Sequence, residues 1–485
     1  MDNNWNLNPR KHQLDNYLRE RDLLNRAIWF DQGTGKTALT LAIVAHNYRI
    51  GKVNALLVLA PPGVESNWTN DEIPKHWPRD LTMSSFCWSS SKSTTKKYAK
   101  AYAEFLEPRG DEMKILCMSY NAMMTERGAK AARKFLDDHD CFYVIDESTM
   151  IKTPDAKTTK RVVASAKHAK CRRALNGTPV EDSPLALYTQ VKWVDNNIWL
   201  KRGISTYGMF KVMFGIWETQ HLPNGKSFPQ LKSYTNLPLL NEILLEAGER
   251  ILKEDCLDLP PKSYSKIYFE LTAKQKKLYK DLKLAMSTTL DSGDVIDAEL
   301  AIVRMVRFQQ ICSGYFPRDE DTMELVPIDG PNPRITALSQ LMDNTSKGCI
   351  IWSKYNADMD AITALLTKRG ESFVTYDGRT SPEDREAAKK RFQDGEVQYF
   401  VAKPQAAGRG LTLTKAKTVI YYNNSFSADL RKQSEDRAHR IGQEDPVLYI
   451  DIVAKGTVDE HILATLRRKK ETSATVTGDQ LMGWI

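Results

Sequence analysis

Short apolar runs rich in β-branched residues recur with helix-length segments between them, over about the first 200 residues and again from Gly348 onward. Near-continuous hydrophobicity is how a strand buried on both faces reads. A helix-length spacer then lets successive strands lie parallel in one sheet. The expected strands are Ala27–Phe30, Ala55–Leu59, Lys114–Met118, Phe142–Ile145 and Arg173–Leu175, then Cys349–Trp352, Ser372–Tyr376, Tyr399–Ala402, Thr418–Tyr422 and Val447–Val453. Two similar α/β units therefore bracket the chain. Between them, from Leu185 to Met342, helical patterns dominate, as in Ala273–Ala285 and Ala298–Cys312. Leu259-Pro260-Pro261-Lys262 interrupts this region, because a proline pair forbids helix. It reads as an extended connector between the units.

Composition sets outer bounds. The chain has 485 residues, 41% hydrophobic and 27% charged, with a mean hydropathy of −0.47, which suits a globular protein of about two to four domains. No apolar run approaches the roughly 18 residues of a membrane span, and Met1-Asp2-Asn3-Asn4 lacks the pattern of a secretion signal. A cytoplasmic protein without membrane attachment is expected. The seven cysteines show no C-x-x-C and no histidine pair at ligand spacing, so buried reduced thiols are expected and no zinc module. A net charge of +8 permits a polyanionic partner. The basic clusters, such as Lys157, Lys160, Arg161, Lys167, Lys170, Arg172 and Arg173 or Arg467, Arg468, Lys469 and Lys470, each read more often as a solvated helix face and become suggestive only beside the motifs.

Specific chemistry enters at Gly33-Thr34-Gly35-Lys36-Thr37, which follows a strand and precedes a helix. In that context glycines let backbone N–H groups converge on phosphates. Lys36 then supplies a cation for the β/γ oxygens and Thr37 a hydroxyl for Mg²⁺. The complete motif would have glycine where Phe30 stands. Asp146-Glu147 ends another apolar run, which suits Asp146 as a second Mg²⁺ ligand and Glu147 as the group polarising the attacking water, although acidic pairs after strands are common. Asn176-Gly177-Thr178-Pro179 would be a turn in any protein, and Gln13 could be a surface glutamine. Far downstream, Gln433 to Gln443 reads Q-S-E-D-R-A-H-R-I-G-Q and sets Arg437 and Arg440 three residues apart on what is expected to be one helix face. Two guanidiniums there could stabilise transition-state charge on a γ-phosphate.

Taken in order, these motifs resemble the Swi/Snf-type DNA translocases of helicase superfamily two, nearly end to end. D-R-A-H-R-I-G-Q is the most specific segment. Also matching are Leu59-Ala60-Pro61-Pro62 with Ser66-Asn67-Trp68, Ser119-Tyr120, Asp258 to Lys262, Gln310-Ile311-Cys312, Ile351-Trp352-Ser353, and Gly408, Gly410, Leu411 and Leu413. The resemblance implies two RecA-like lobes with helical protrusions between them. Expected bounds are lobe 1 at residues 1–200, protrusions at 201–257 and 258–345 (the latter with the linker), lobe 2 at 346–456 and a helical tail at 457–485. It implies a pocket for ATP and Mg²⁺ built from Gln13, Gly33, Thr34, Gly35, Lys36, Thr37, Asp146, Gly410 and Gln433, with Lys36, Glu147, Arg437 and Arg440 in catalytic roles. Sequence-independent contacts to duplex DNA would come from Ser66, Ser119, Tyr120, Ser353, Lys354 and Arg409.

Departures from the family pattern cluster at the coupling positions. Ser148-Thr149 replaces the usual Ala-His, Asn176 replaces threonine or serine ahead of Thr178, Ala407 replaces a glycine, and Lys403-Pro404 replaces Ser-Thr. The hydrolytic set is intact. The expected function is a DNA-dependent ATPase that translocates on duplex DNA and remodels protein–DNA complexes or branched DNA. It would be monomeric, a compact member of prokaryotic or phage type, and without the reader domains of chromatin remodellers. An RNA or single-strand helicase, and a nucleic-acid-binding scaffold with a decayed ATPase, are the alternatives.

Overall fold

Every apolar run named above becomes a strand of a parallel sheet in the computed structural model, which describes residues 4–108, 110–180, 182–221, 227–291, 298–317, 325–345, 348–407 and 411–479. In chain order the strands are β1 (Asn25–Phe30), β2 (Ala55–Ala60), β3 (Met83–Cys87), β4 (Met113–Ser119), β5 (Cys141–Asp146), β6 (Cys171–Leu175), β7 (Gly215–His221), β8 (Ser227–Tyr234) and β9 (Gly248–Ile251). They continue as β10 (Lys262–Phe269), β11 (Tyr315–Pro317), β12 (Leu325–Pro327), β13 (Cys349–Trp352), β14 (Phe373–Tyr376), β15 (Tyr399–Ala402), β16 (Thr418–Tyr421) and β17 (Val447–Ala454). The chain divides into two compact units, one of residues 1–216, 234–257 and 472–479, the other mainly of residues 217–233 and 258–471.

The first unit holds a seven-stranded sheet in the order β3-β4-β2-β5-β6-β1-β9, parallel throughout. The period of two along each strand sends alternate side chains into separate cores. Ala55, Leu57 and Leu59 of β2 join one cluster with Trp29 and Trp193, whereas Leu56, Val58 and Ala60 join the other with Phe30 and Trp68. The second unit repeats this plan with a six-stranded parallel sheet, β10-β17-β16-β13-β15-β14. There Cys349 and Ile351 face one core, and Ile350 and Trp352 the other. Each unit is thus a three-layer α/β body.

In the two large sheets three strands fall outside the sequence expectation, β3, β9 and β10, and all three lie at sheet edges. An edge strand buries less of its surface, so it lacks the uniform hydrophobicity that marks the central strands. Lys-Ser-Tyr-Ser-Lys-Ile-Tyr-Phe of β10 is largely exposed until its last residue. The stretch 201–257, expected to be a helical protrusion, has helices Tyr207–Phe214 and Leu237–Ala247 but also the paired strands β7 and β8 and the strand β9. Gly248 is required where β9 meets β1, because a Cβ there would lie 2.2 Å from the Ala27 carbonyl oxygen. Farther along, Val458–Thr477 is one helix. No helix among the described residues is long and apolar enough to cross a membrane.

Fully buried arginines tie irregular segments to each core. Arg173 donates to the carbonyls of Glu20, Leu23 and Leu24, satisfying the end of the helix Lys11–Glu20, and burial lowers its pKa to about 10. In the second unit Arg334 pairs with Asp459 and donates to the carbonyls of Cys312 (3.2 Å), Ile452 (3.1 Å) and Tyr422. Arg334→Ala would strand the Asp459 carboxylate and three carbonyls in the core. We expect it to destabilise the second unit by about 3–5 kcal/mol, read as a lowered denaturant midpoint in urea unfolding.

Candidate active site

Parallel packing brings the carboxyl ends of β1, β2, β4, β5 and β6 to one edge of the first sheet, where open α/β sheets place their ligands. The last four residues of β1 are fully buried, so the strand delivers a fixed carboxyl end to the loop Asp31–Gly35. Gly33 (φ +82°) and Gly35 (φ +87°) both adopt the left-handed conformation, and Gly35 caps the helix Lys36–Arg49. That backbone course turns amide N–H groups toward a common point at the positive end of the helix. Thr34 Oγ1 closes the turn on the Asp31 carbonyl at 2.7 Å, and Lys36 Nζ lies over the loop, donating to the carbonyls of Phe30 (2.9 Å) and Asp31 (3.3 Å). Thr37 is half-buried in the first helical turn.

Gln13 is buried and attached to this loop. Its Nε2 donates to the Gly35 carbonyl at 3.1 Å and its Oε1 accepts from the Arg10 N–H at 2.9 Å. A Cβ on Gly35 would lie 2.2 Å from that amide, so glycine serves both conformation and contact. His12 Nε2 lies 2.9 Å from the Thr34 carbonyl oxygen. The helix Lys11–Glu20 therefore supports the phosphate loop from outside the sheet.

The acid pair sits two strands away. Asp146 ends β5, with Oδ1 accepting from the Glu147 N–H (3.0 Å) and Oδ2 from the Trp68 indole (2.9 Å), while Tyr120 donates to the Asp146 carbonyl (2.8 Å). Each carboxylate oxygen keeps further lone-pair capacity, and a threonine hydroxyl with a carboxylate is the hard oxygen set that suits Mg²⁺. The site therefore fits that ion. Glu147 is at φ 51°, ψ 61°, one of two described non-glycine residues with positive φ, a strain typical of functional positions. Gln32 of the phosphate loop donates to Glu147 Oε1 at 3.4 Å, linking loop and acid directly. Trp68 begins a π-helical turn, Trp68–Glu72, a rare geometry that aims its indole back at β5.

Behind the acids, the unusual coupling residues form a network. Asn176 Nδ2 donates to Thr149 Oγ1 (3.1 Å) and Ser148 Oγ (3.4 Å), and its Oδ1 accepts from the Thr178 N–H (2.7 Å). Ser148 Oγ in turn donates to Gln190 Oε1 at 2.6 Å. Amide and hydroxyls are mutually complementary, so the departures at these positions fit one another.

In the second unit the helix Ala428–Ala438 carries Gln433 and Arg437 but ends before Arg440. The expected single helix face is therefore corrected. His439 leaves helical geometry (φ −96°, ψ 83°) with its ring 2.8 Å from the Pro260 carbonyl oxygen, and the Gln443 amide donates to the Ala438 carbonyl. The two arginines nevertheless meet, since Arg437 Nη1 (3.2 Å) and Arg440 Nη1 (2.9 Å) both donate to the Leu411 carbonyl. Gln433 Nε2 donates to Asp429 at 2.9 Å. Beneath them Arg431 pairs with Asp451 and Glu435; burial works to raise the Glu435 pKa, but Lys262 and Arg431 outweigh it and hold it at about 2.

Several expected DNA contacts lie elsewhere than a surface. Ser353 is fully buried and donates to Asp358 at 3.3 Å, and Tyr120 is buried on Asp146, because both side chains turn inward from the strand ends they follow. Ser119 is buried as well. Ser66 is half-exposed and donates to the Gly63 carbonyl, while half-buried Lys354 donates to Gln309 Oε1 at 2.8 Å. Arg409 and Gly410 lie outside the described residues. Trp68, Gln32 and Arg250 are the site residues whose roles sequence reasoning missed; each acts through a partner far away in the chain. Arg250 donates to the carbonyls of Trp29 (2.7 Å) and Gly177 (3.0 Å) and to Asp31 Oδ1 (3.0 Å).

Comparison with known proteins agrees with these motifs. A family model described as the SNF2-related domain matches residues 17–314, more than half the chain, and one described as the helicase conserved C-terminal domain matches residues 333–442. The chain belongs to the SNF2-related family. An uncharacterized ATP-dependent helicase, MG018, of Mycoplasma genitalium is 26% identical over 479 residues, covering 97% of this chain and 42% of that protein. The TATA-binding protein-associated factor MOT1 of Saccharomyces cerevisiae is 25% identical over 516 residues, covering 93% of this chain and 26% of that one. The chain thus spans half or less of the length of such relatives. A solved structure of the Sulfolobus solfataricus SWI2/SNF2 ATPase core in complex with dsDNA aligns over 98% of this chain and 94% of that one, with 21% identity and a TM-score of 0.42.

Two substitutions test the local chemistry. Trp68→Phe removes the indole donor from Asp146 at little cost in volume, and we expect about a tenfold rise in the Mg²⁺ concentration needed for half-maximal turnover, the size of one charge-assisted hydrogen bond. Burial raises the Asp358 pKa from 3.8 to about 6, against the pull of Arg334 and the bonds from Asn423, Ser313 and Ser353. A raised carboxyl contributes stability in full below about pH 4 and loses it as pH rises through 6. Relative to Asp358→Asn, the wild-type protein should therefore lose about 2 kcal/mol between pH 4 and 7.5, measured by urea unfolding at both pH values.

Proposed function

We propose that this SNF2-related chain is a Mg²⁺-dependent ATP hydrolase that translocates on duplex DNA. The observation carrying the first half is the convergence, at one sheet edge, of a left-handed glycine loop, Lys36, Thr37 and the Asp146-Glu147 pair, joined through the Gln32–Glu147 bond. In this reading the loop amides and Lys36 bind the β- and γ-phosphates, and Thr37 and Asp146 hold the metal. Bound Mg²⁺ would neutralise developing phosphate charge. Glu147 orients the attacking water, with Gln32 fixing one of its oxygens. Arg437 and Arg440, already converged on one carbonyl, supply guanidinium charge for the transition state. Gln13 positions the loop from its outer side and, by resemblance, contacts the base.

Duplex DNA as substrate is supported by family membership and by motifs in family order. Ser66, Lys354 and Arg409 are the contacts retained, with Ser119, Tyr120 and Ser353 acting by holding strand ends in place. Remodelling of protein–DNA complexes or branched DNA by a cytoplasmic monomer completes the reading. Relatives named for ATP-dependent helicase activity and for a TATA-binding protein factor favour it over a decayed scaffold.

ATPase rates with duplex, single-stranded, forked and RNA ligands across a salt series test the proposal. Duplex DNA should raise the rate, with an effect that falls steeply with salt. Lys36→Ala, Glu147→Gln and Arg440→Ala should each lower turnover at least about a hundredfold, with Glu147→Gln still binding ATP. Stimulation by RNA but not by duplex DNA would overturn the substrate. Unchanged rates in all three variants would overturn the site.

A further inference from the structure

Arg250 lies in β9, outside every motif, yet its side chain is only 5% exposed and sits at the base of the phosphate loop. Its Nη1 donates to the carbonyls of Trp29, on the strand entering the loop, and Gly177, in the turn after β6. Nη2 donates to Asp31 Oδ1 at 3.0 Å and to Asp479 Oδ2 at 2.7 Å, and Nε reaches Asp479 Oδ1 at 3.1 Å. Asp31 is the first residue of the loop, and its other oxygen accepts from the Lys253 N–H at 3.3 Å. One guanidinium thus joins β1, the loop, the turn after β6 and a carboxylate more than 200 residues away. Burial acts to lower the pKa of this guanidinium, and Asp31 and Asp479 outweigh that, so it stays charged.

The segment that delivers Asp479 is anchored independently. Val476 is fully buried in the first unit's core, Asn241 Nδ2 donates to its carbonyl at 2.7 Å, and Ser473, Ala474 and Thr477 are also buried. Asp479 follows Gly478, whose φ of +75° turns the chain out of the helix. The bidentate pairing with Arg250 is the planar fork geometry in which arginine binds carboxylate most strongly.

We propose that Arg250 is a positioning residue for the phosphate loop, and that Asp479 locks it there, so that nucleotide affinity depends on docking of the segment Thr472–Asp479. The proposal rests on the nucleotide-site reading above. With Asp479 in place, Arg250 has both ends fixed and presents one rotamer to Asp31 and the Trp29 and Gly177 carbonyls. Without it the guanidinium fork loses its bidentate partner, and the loop must be ordered by the incoming phosphates instead. That ordering cost appears as weaker binding.

The test compares full-length wild type, Asp479→Asn and Asp479→Glu by calorimetric titration with Mg²⁺-ATP, by hydrogen exchange of residues 31–35 and by thermal melting. We expect Asp479→Asn to weaken Mg²⁺-ATP binding about tenfold, the size of a charge-assisted pair, and to speed exchange in the loop, with Asp479→Glu recovering most of both. KM for ATP should rise more than kcat falls. Unchanged affinity and exchange in Asp479→Asn would overturn the proposal, as would a lowered melting temperature without either change, because the contact would then hold only the segment. Failure of the wild-type protein to bind Mg²⁺-ATP would instead sink the nucleotide-site reading, and this inference with it.

Discussion

A phosphate-binding loop depends on a strand that cannot shift. β1 meets this condition by pairing in parallel with β6 on one side and β9 on the other, with its last four residues excluded from water. The loop's left-handed glycines hold their course only because Phe30 and Asp31 are fixed beneath them. Once β1 is set, β6 and β5 follow in the sheet and bring Asn176, Asp146 and Glu147 to the same edge. Arg250 on β9 then closes the opposite side of the loop. The chemistry of the first unit rests on that run of four paired strands.

The second unit solves a different problem, holding two arginines ready without losing them to a random surface rotamer. Arg431, Glu435 and Asp451 form a buried ion network under the helix Ala428–Ala438, fixing its rotation. Buried pairs of this kind specify geometry more than they stabilise. Arg437 and Arg440 then share the Leu411 carbonyl although only one of them is helical. The shared carbonyl brings the two guanidinium charges to one point of the second unit.

The coupling positions show how a departure from family pattern is absorbed. Ser148, Thr149 and Asn176 each differ from the residue usual there, yet donors and acceptors match across the group, extending to Gln190. Where one polar residue changes in a buried site, a neighbour must change with it, because an unmatched buried donor costs about as much as a lost hydrogen bond. The network links β5 to the turn after β6 by a route built from amide and hydroxyl groups.

The central strands, the glycine loop with Lys36 and Thr37, and the acid pair were legible because their signals are local: unbroken hydrophobicity, glycine before a helix, and carboxylates after a strand. The edge strands β3, β9 and β10 were not, since half-exposed strands carry half the hydrophobic signal. The end of the helix at Ala438, the inward turn of Ser353 and Tyr120, and the roles of Trp68, Gln32 and Arg250 depend on partners from 5 to 229 residues away. Sequence alone therefore determined which chemistry this chain carries and the order of its parts. Tertiary structure decided which side chains face that chemistry, because hydrogen bonds across strands are set by packing that no local window of residues contains.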